Sequence, residues 1–142
     1  MENKNVLNFE DGVEALKING DENKILKFNP TSMMLLKNIE KANAEIVSEI
    51  ERLDADETLN SENKFEMMDT FVKAKIDEIF GAGTSEMVFG SDYSIVTVKG
   101  NYVYENFLIA IMNYMTARIK EETELSQKRV QEYTKKAEEL KK

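Results

Sequence analysis

The chain has 142 residues, of which 19 are basic and 27 acidic, for a net charge of −8. That length suits one domain able to bury a core without staples, and with no Cys there are no disulfides and no thiolate chemistry. With no His either, the commonest general base and zinc ligand are missing, so a non-enzymatic protein with no cofactor and no metal is expected.

The acidic balance argues against nucleic acid, whose usual footprint is a basic patch. The charge is uneven: residues 101–142 carry eight basic and seven acidic side chains, so the first hundred hold −9. Solubility explains such a surplus. No stretch approaches 18 consecutive apolar residues, so no membrane span is expected. Residues 1–12 lack an apolar run of signal-peptide length, and a cytoplasmic location follows as the expectation.

Val6-Leu7-Asn8-Phe9 is a short apolar segment, and Asp11-Gly12 is a turn signal. A β-hairpin is predicted over about 13–28, with strands at 13–18 and 24–28 and Asn19-Gly20 supplying the turn. Asn29-Pro30-Thr31-Ser32 reads as a helix start. The helix that follows runs to about Leu53, with an apolar stripe of Leu36, Ile39, Ile46, Ile50 and Leu53. Asn43 completes a heptad-like spacing there, either as a register-setting core contact or as a partly exposed edge.

Residues 54–61 form a polar connector in which Asn60 or Ser61 can cap the next helix. That helix carries Phe65, Met68, Phe71, Val72, Ile76, Ile79 and Phe80 on one face and stops at Gly81. After the Gly81-Ala82-Gly83 break, Thr84 or Ser85 is expected to cap a single turn closed by Gly90. Ile95-Val96-Thr97-Val98 suits either a strand or an apolar lead into the last helix. From about Tyr102 the pattern is helical to the C-terminus, strongly apolar to Ile119 and sparse beyond. Glu124/Lys128, Glu132/Lys136 and Glu138/Lys142 are spaced to pair along that tail. Such a thinly apolar helix invites a partner or frays. The expected architecture is a mainly α, α+β domain over 1–119 with an N-terminal β-hairpin and a small helical bundle. A charged C-terminal helix projects over 120–142.

Candidate chemistry is thin. Asp54-Ala55-Asp56 opens like a calcium loop, but the sixth position is Leu59 instead of Gly and the twelfth is Phe65 instead of Glu, which favours a solvated linker. Gly81-Ala82-Gly83 lacks a third Gly and a preceding strand, so a helix stop and hinge explains it better than a phosphate loop. Tyr102, Tyr104, Phe107 and Tyr114 could stack bases, but without a basic surface around them core packing is expected. The eight Met residues serve as core filler or as an adaptable binding surface.

The most distinctive stretch is Lys75-Ile76-Asp77-Glu78-Ile79-Phe80-Gly81-Ala82-Gly83-Thr84-Ser85-Glu86-Met87-Val88-Phe89-Gly90. It resembles a motif of short tail proteins, the tail assembly chaperones, of long-tailed phages and prophages of Gram-positive bacteria. The flanking hairpin, helix, acidic connector and final helix agree with that family. Ile95-Val96-Thr97-Val98 departs from it, because the family has a Gly- or Asn-rich lead into the helix there. The resemblance implies a non-enzymatic protein of the bacterial host cytoplasm. Its partners would be the helical tape-measure protein, kept soluble, and the tail-tube protein, recruited around it; a homo-oligomer is compatible with this. A tail component retained in the virion, or a small adaptor or regulatory protein of a mobile element, are the alternatives. The resemblance also raises a longer product made by a ribosomal slip at Lys135-Lys136 or Lys141-Lys142, although Lys at a helix end equally complements the dipole. The expected client groove lies between the 65–80 and 102–119 helices. Met67, Met68, Phe71, Met112 and Met115 are the candidate partner-binding residues.

Overall fold

The computed structural model describes residues 5–141. Strands β1 (Glu14–Ile18) and β2 (Asp21–Phe28) form an antiparallel hairpin with Leu16 opposite Leu26 and Glu14 opposite Phe28. Asn19 and Gly20 both take positive φ, 51° and 75°, which is the twist a two-residue hairpin turn needs. β2 begins three residues earlier than the sequence predicts. An irregularity between Lys17 and Ile18 brings Asp21 into the pairing, and the Asp21 carboxylate accepts from the Asn23 amide. Acidic and amide side chains are poor strand formers, so periodicity could not find this extension. Leu26 and Phe28 point inward and Leu16 and Ile18 are half-buried, so one face of the hairpin covers the core.

Helix α1 (Met33–Asp54) starts where Ser32 Oγ accepts from the Leu35 amide at 3.1 Å. Just before it, Asn29 Oδ1 accepts from the amide and hydroxyl of Thr31, which sets the turn through Pro30. The buried face of α1 is Ile39, Ala42, Ile46 and Leu53. Ala42 takes the slot that the heptad reading gave to Asn43, and Asn43 is exposed. Helix α2 (Ser61–Phe80) is capped by Asn60, whose Oδ1 accepts from the Asn63 amide at 2.8 Å. Val72 and Ile76 are its fully buried apolar residues, with Met68, Phe71, Ile79 and Phe80 packed around them.

The signature stretch 75–90 folds into a compact α2–turn–α3 unit, with α3 at Thr84–Phe89. The expected Thr84 or Ser85 cap is replaced. Gly83 occupies the cap position, and the Asp77 carboxylate, reaching from the last turn of α2, accepts from the Ser85 amide at 2.7 Å. Thr84 Oγ1 instead donates back to the Gly81 carbonyl at 2.7 Å. Gly83 sits at φ +87° with open space where a Cβ would stand, so Gly83→Ala meets only backbone strain. The expected cost is about 1 kcal/mol, a fall of a few degrees in thermal midpoint on calorimetry. Phe80 and Phe89 of this unit both make edge contacts with Phe107, and Phe28 bridges Phe80 to Tyr114.

The ambiguous 91–102 segment is a second, very small hairpin, β3 (Thr97–Val98) and β4 (Asn101–Tyr102), reversed at Lys99-Gly100. Its carbonyls at Ser94 and Val96 accept from the amides of Tyr104 and Val103, so the loop satisfies two orphan donors of the last helix. Helix α4 (Val103–Leu140) has 38 residues, about 57 Å at 1.5 Å each. Tyr104, Leu108, Ile111 and Met115 bury one face of its first half against the hairpin, α1 and α2. From Lys120 onward every described residue is exposed. No contact joins Glu124 to Lys128 or Glu132 to Lys136 among the described residues, whereas Arg118 pairs with Glu121 and Glu122. Lys142, the partner predicted for Glu138, lies outside the described residues.

One polar cluster locks the hairpin to α4. Glu14 accepts from the Tyr114 hydroxyl at 2.6 Å and from Arg118 Nε at 2.9 Å. The tyrosine hydrogen bond and then the guanidinium hold the Glu14 carboxyl below its ordinary value of 4.5. A group with a lowered folded pKa contributes stability above its ordinary value and loses it as pH falls through the lowered one. Glu14→Gln should therefore cost about 1 kcal/mol near pH 7, a modest figure because about a third of the side chain stays exposed. The difference from wild type should vanish in acid, as read from thermal midpoints across pH 2–7.

Candidate partner-binding surface

Apolar surface is left open where α1 and α2 run side by side. Leu53 forms the floor, Met67, Phe71 and Ala74 the wall, and Glu49, Glu66 and Thr70 the rim, enclosing about 440 Å³. The cause is local. Thr70 and Ala74, small residues one turn apart on α2, line the groove with Glu49 and Leu53 of α1, and side chains of that size leave the space open. Met67 is 44% exposed there, an apolar side chain the fold does not cover. Its flexible thioether can adapt to varied apolar shapes.

The groove's edges are held by polar contacts. Beside the groove, Lys75 pairs with Glu45 of α1, and its ammonium lies 5.4 Å from the centre of the Phe71 ring. Hydrogen bonding to Glu45 raises the Lys75 pKa, so it stays charged. At the rim, Glu49 pairs with Arg52, and Glu66 accepts from the Tyr93 hydroxyl. That bond to Glu66 pushes the Tyr93 phenol up, so it remains a neutral donor.

The side of α2 next to the groove carries a strap. Asp69 is buried, and its Oδ1 accepts from the Ser94 amide at 2.6 Å and the Ser94 hydroxyl at 2.7 Å. Its Oδ2 lies 2.9 Å from Lys73 Nζ, which also donates to the Asp92 carbonyl at 2.8 Å. Phe65 meets the Tyr93 ring edge-on at 4.7 Å. Serine, lysine and aspartate together can suggest nucleophile chemistry. Here Ser94 is fully buried and its hydroxyl is spent on Asp69, so the cluster fastens the 91–96 loop to α2.

The structure separates the five candidate residues. Met67 and Phe71 line the α1–α2 groove. Met68 and Met112 are half-buried against the core, and Met115 is wholly inside it. The client groove expected between α2 and α4 is corrected accordingly: the α4 face that would have lined it is the one packed into the core. Helical periodicity marks which face is apolar but not which neighbour covers it. Leu53 was read only as part of the α1 stripe, and Thr70 and Ala74 went unnoticed in the sequence. Their signal was the pairing of small residues at 70 and 74 with Met67 and Phe71.

Asp56 of the acidic connector accepts from the Thr58 hydroxyl and amide, a local turn whose hydrogen bonds lower its pKa. Among the described residues, no cluster of three or more His, Cys, Asp or Glu is placed to hold a metal ion. Tyr104 is core, with its hydroxyl pushed up to about 12 by burial, and Tyr102 stacks against it. Among the described residues, no helix is long and apolar enough to cross a membrane. Comparison with protein-family models, with curated proteins and with solved structures gives no match.

Proposed function

We propose that this chain is a tail assembly chaperone of a long-tailed phage or prophage. It works in the host cytoplasm without catalysis, shelters apolar helices of the tape-measure protein and helps recruit tail-tube subunits. The observation that carries the reading is the uncovered α1–α2 groove around Met67 and Phe71, set in a strongly acidic chain. Its floor and wall are apolar and its rim is acidic, which suits an apolar helical stripe as occupant and disfavours an acidic one. The resemblance of residues 75–90 supplies the biological setting.

Co-expression with the tape-measure protein of the same genome tests this. Wild type should keep tape-measure fragments in the soluble fraction. Met67→Asp combined with Ala74→Glu, both at exposed positions, should lose that ability with an unchanged helical spectrum. Solubilisation that survives the double change removes the proposal.

A further inference from the structure

The open strip between α1 and α2 is longer than the groove. It continues into a smaller depression of about 140 Å³ whose lining includes Asn38, Ala42, Glu45, Lys75 and Ile79. Positions 38, 42, 45, 49 and 53 follow one face of α1, and 67, 71, 74 and 78 one face of α2, each three or four apart. The Lys75–Glu45 pair bridges the two helices partway along. From Asn38 to Leu53 the strip is about 22 Å long, roughly four helical turns.

Its charge is lopsided. Residues 49–66 span the last turns of α1, the connector and the first turns of α2. They hold seven acidic and two basic side chains, a net of −5 out of the chain's −8. The rest of the two helices, 33–48 and 67–80, carries −1. Asp54, Glu57, Glu62 and Glu66 are exposed, and no ion pair holds them among the described residues. Leu53 and Met67 stand within about two turns of the connector, so the apolar part of the strip coincides with its acidic end. The C-terminus of α1 and the N-terminus of α2 meet there, so their dipoles largely offset and the side chains set the field.

We infer that the groove selects an amphipathic helix with Lys or Arg clustered at one end of its apolar stripe, and that this end lies at the connector. The inference rests on the groove reading proposed above and adds which helices are chosen and how they lie. Apolar contact is non-directional, whereas opposite charges at one end fix the register, speed encounter and exclude acidic competitors.

Two stapled amphipathic peptides with the same leucine stripe test this by calorimetric titration of the full chain. One ends in lysines and the other in glutamates at the same positions. At low salt the lysine peptide should bind about tenfold more tightly. The ratio should shrink toward one near 1 M salt, where the screening length is about 3 Å. Asp54→Asn with Glu57→Gln and Glu62→Gln, all at exposed positions, should also shrink it and keep the helical spectrum. Met67→Asp should lose both peptides. Equal affinity of wild type for the two peptides, or a triple variant that discriminates as strongly as wild type, overturns this inference and leaves the groove reading standing. Binding of neither peptide overturns both. A wild-type mass of twice 16.3 kDa that Met67→Asp halves would place a second copy in the groove and overturn the inference as well.

Discussion

Asp69→Ala is expected to destabilise the protein by about 3 kcal/mol, the low end for breaking a buried ion pair. The loss has several parts. The Ser94 amide and hydroxyl lose their acceptor in a buried site, and Lys73 loses its counter-ion. Lys73 keeps the Asp92 carbonyl and some solvent contact, which holds the cost at that low end. Ser94→Ala removes one hydrogen bond and should cost about 1 kcal/mol. Urea midpoints would show the difference, and equal small effects from both variants would mean that the 91–96 strap contributes little. Ser94 and Val96 supply the carbonyls that receive the first amides of α4. Loosening the strap should therefore also raise hydrogen exchange at Val103 and Tyr104.

The second large effect separates two methionines that the sequence cannot tell apart. Met115→Asp should abolish folding, because it places an unpaired carboxylate where the residue has no solvent exposure. Met115→Ala should cost about 2–5 kcal/mol through the cavity left behind. Met67→Asp, at a 44% exposed site on the groove wall, should change stability by no more than about 0.5 kcal/mol. Circular dichroism with thermal melting distinguishes the two directly. A folded Met115→Asp would mean that α4 does not pack as described.

Much of the architecture was legible because local chemistry announces it. Asn19-Gly20 marked the hairpin turn, Ser32 and Asn60 marked helix starts, and Gly81 marked a helix stop. What stayed hidden depends on contacts distant in sequence. Asp69 looks like one more surface acid until Ser94, 25 residues later, folds over it. Asp77 looks equally ordinary until α3 turns back and places the Ser85 amide against it. The groove was misplaced for a similar reason: the faces of α2 and α4 were correctly read as apolar, but packing order decides which of them is covered. Part of the distinctive 75–90 stretch is explained by folding alone, since Asp77, Phe80, Gly83, Thr84 and Phe89 all hold the α2–α3 unit or the aromatic cluster together.

The central claim is that the α1–α2 groove receives an apolar helix from another chain. Methyl NMR of the methionines tests it most directly, with a tape-measure helix peptide as titrant. The Met67 methyl signal should shift and broaden, while Met115 in the core and Met33 and Met34 at the far end of α1 stay in place. A titration that moves Met33 and Met34 and leaves Met67 unchanged, or that moves no methionine at all, would contradict it.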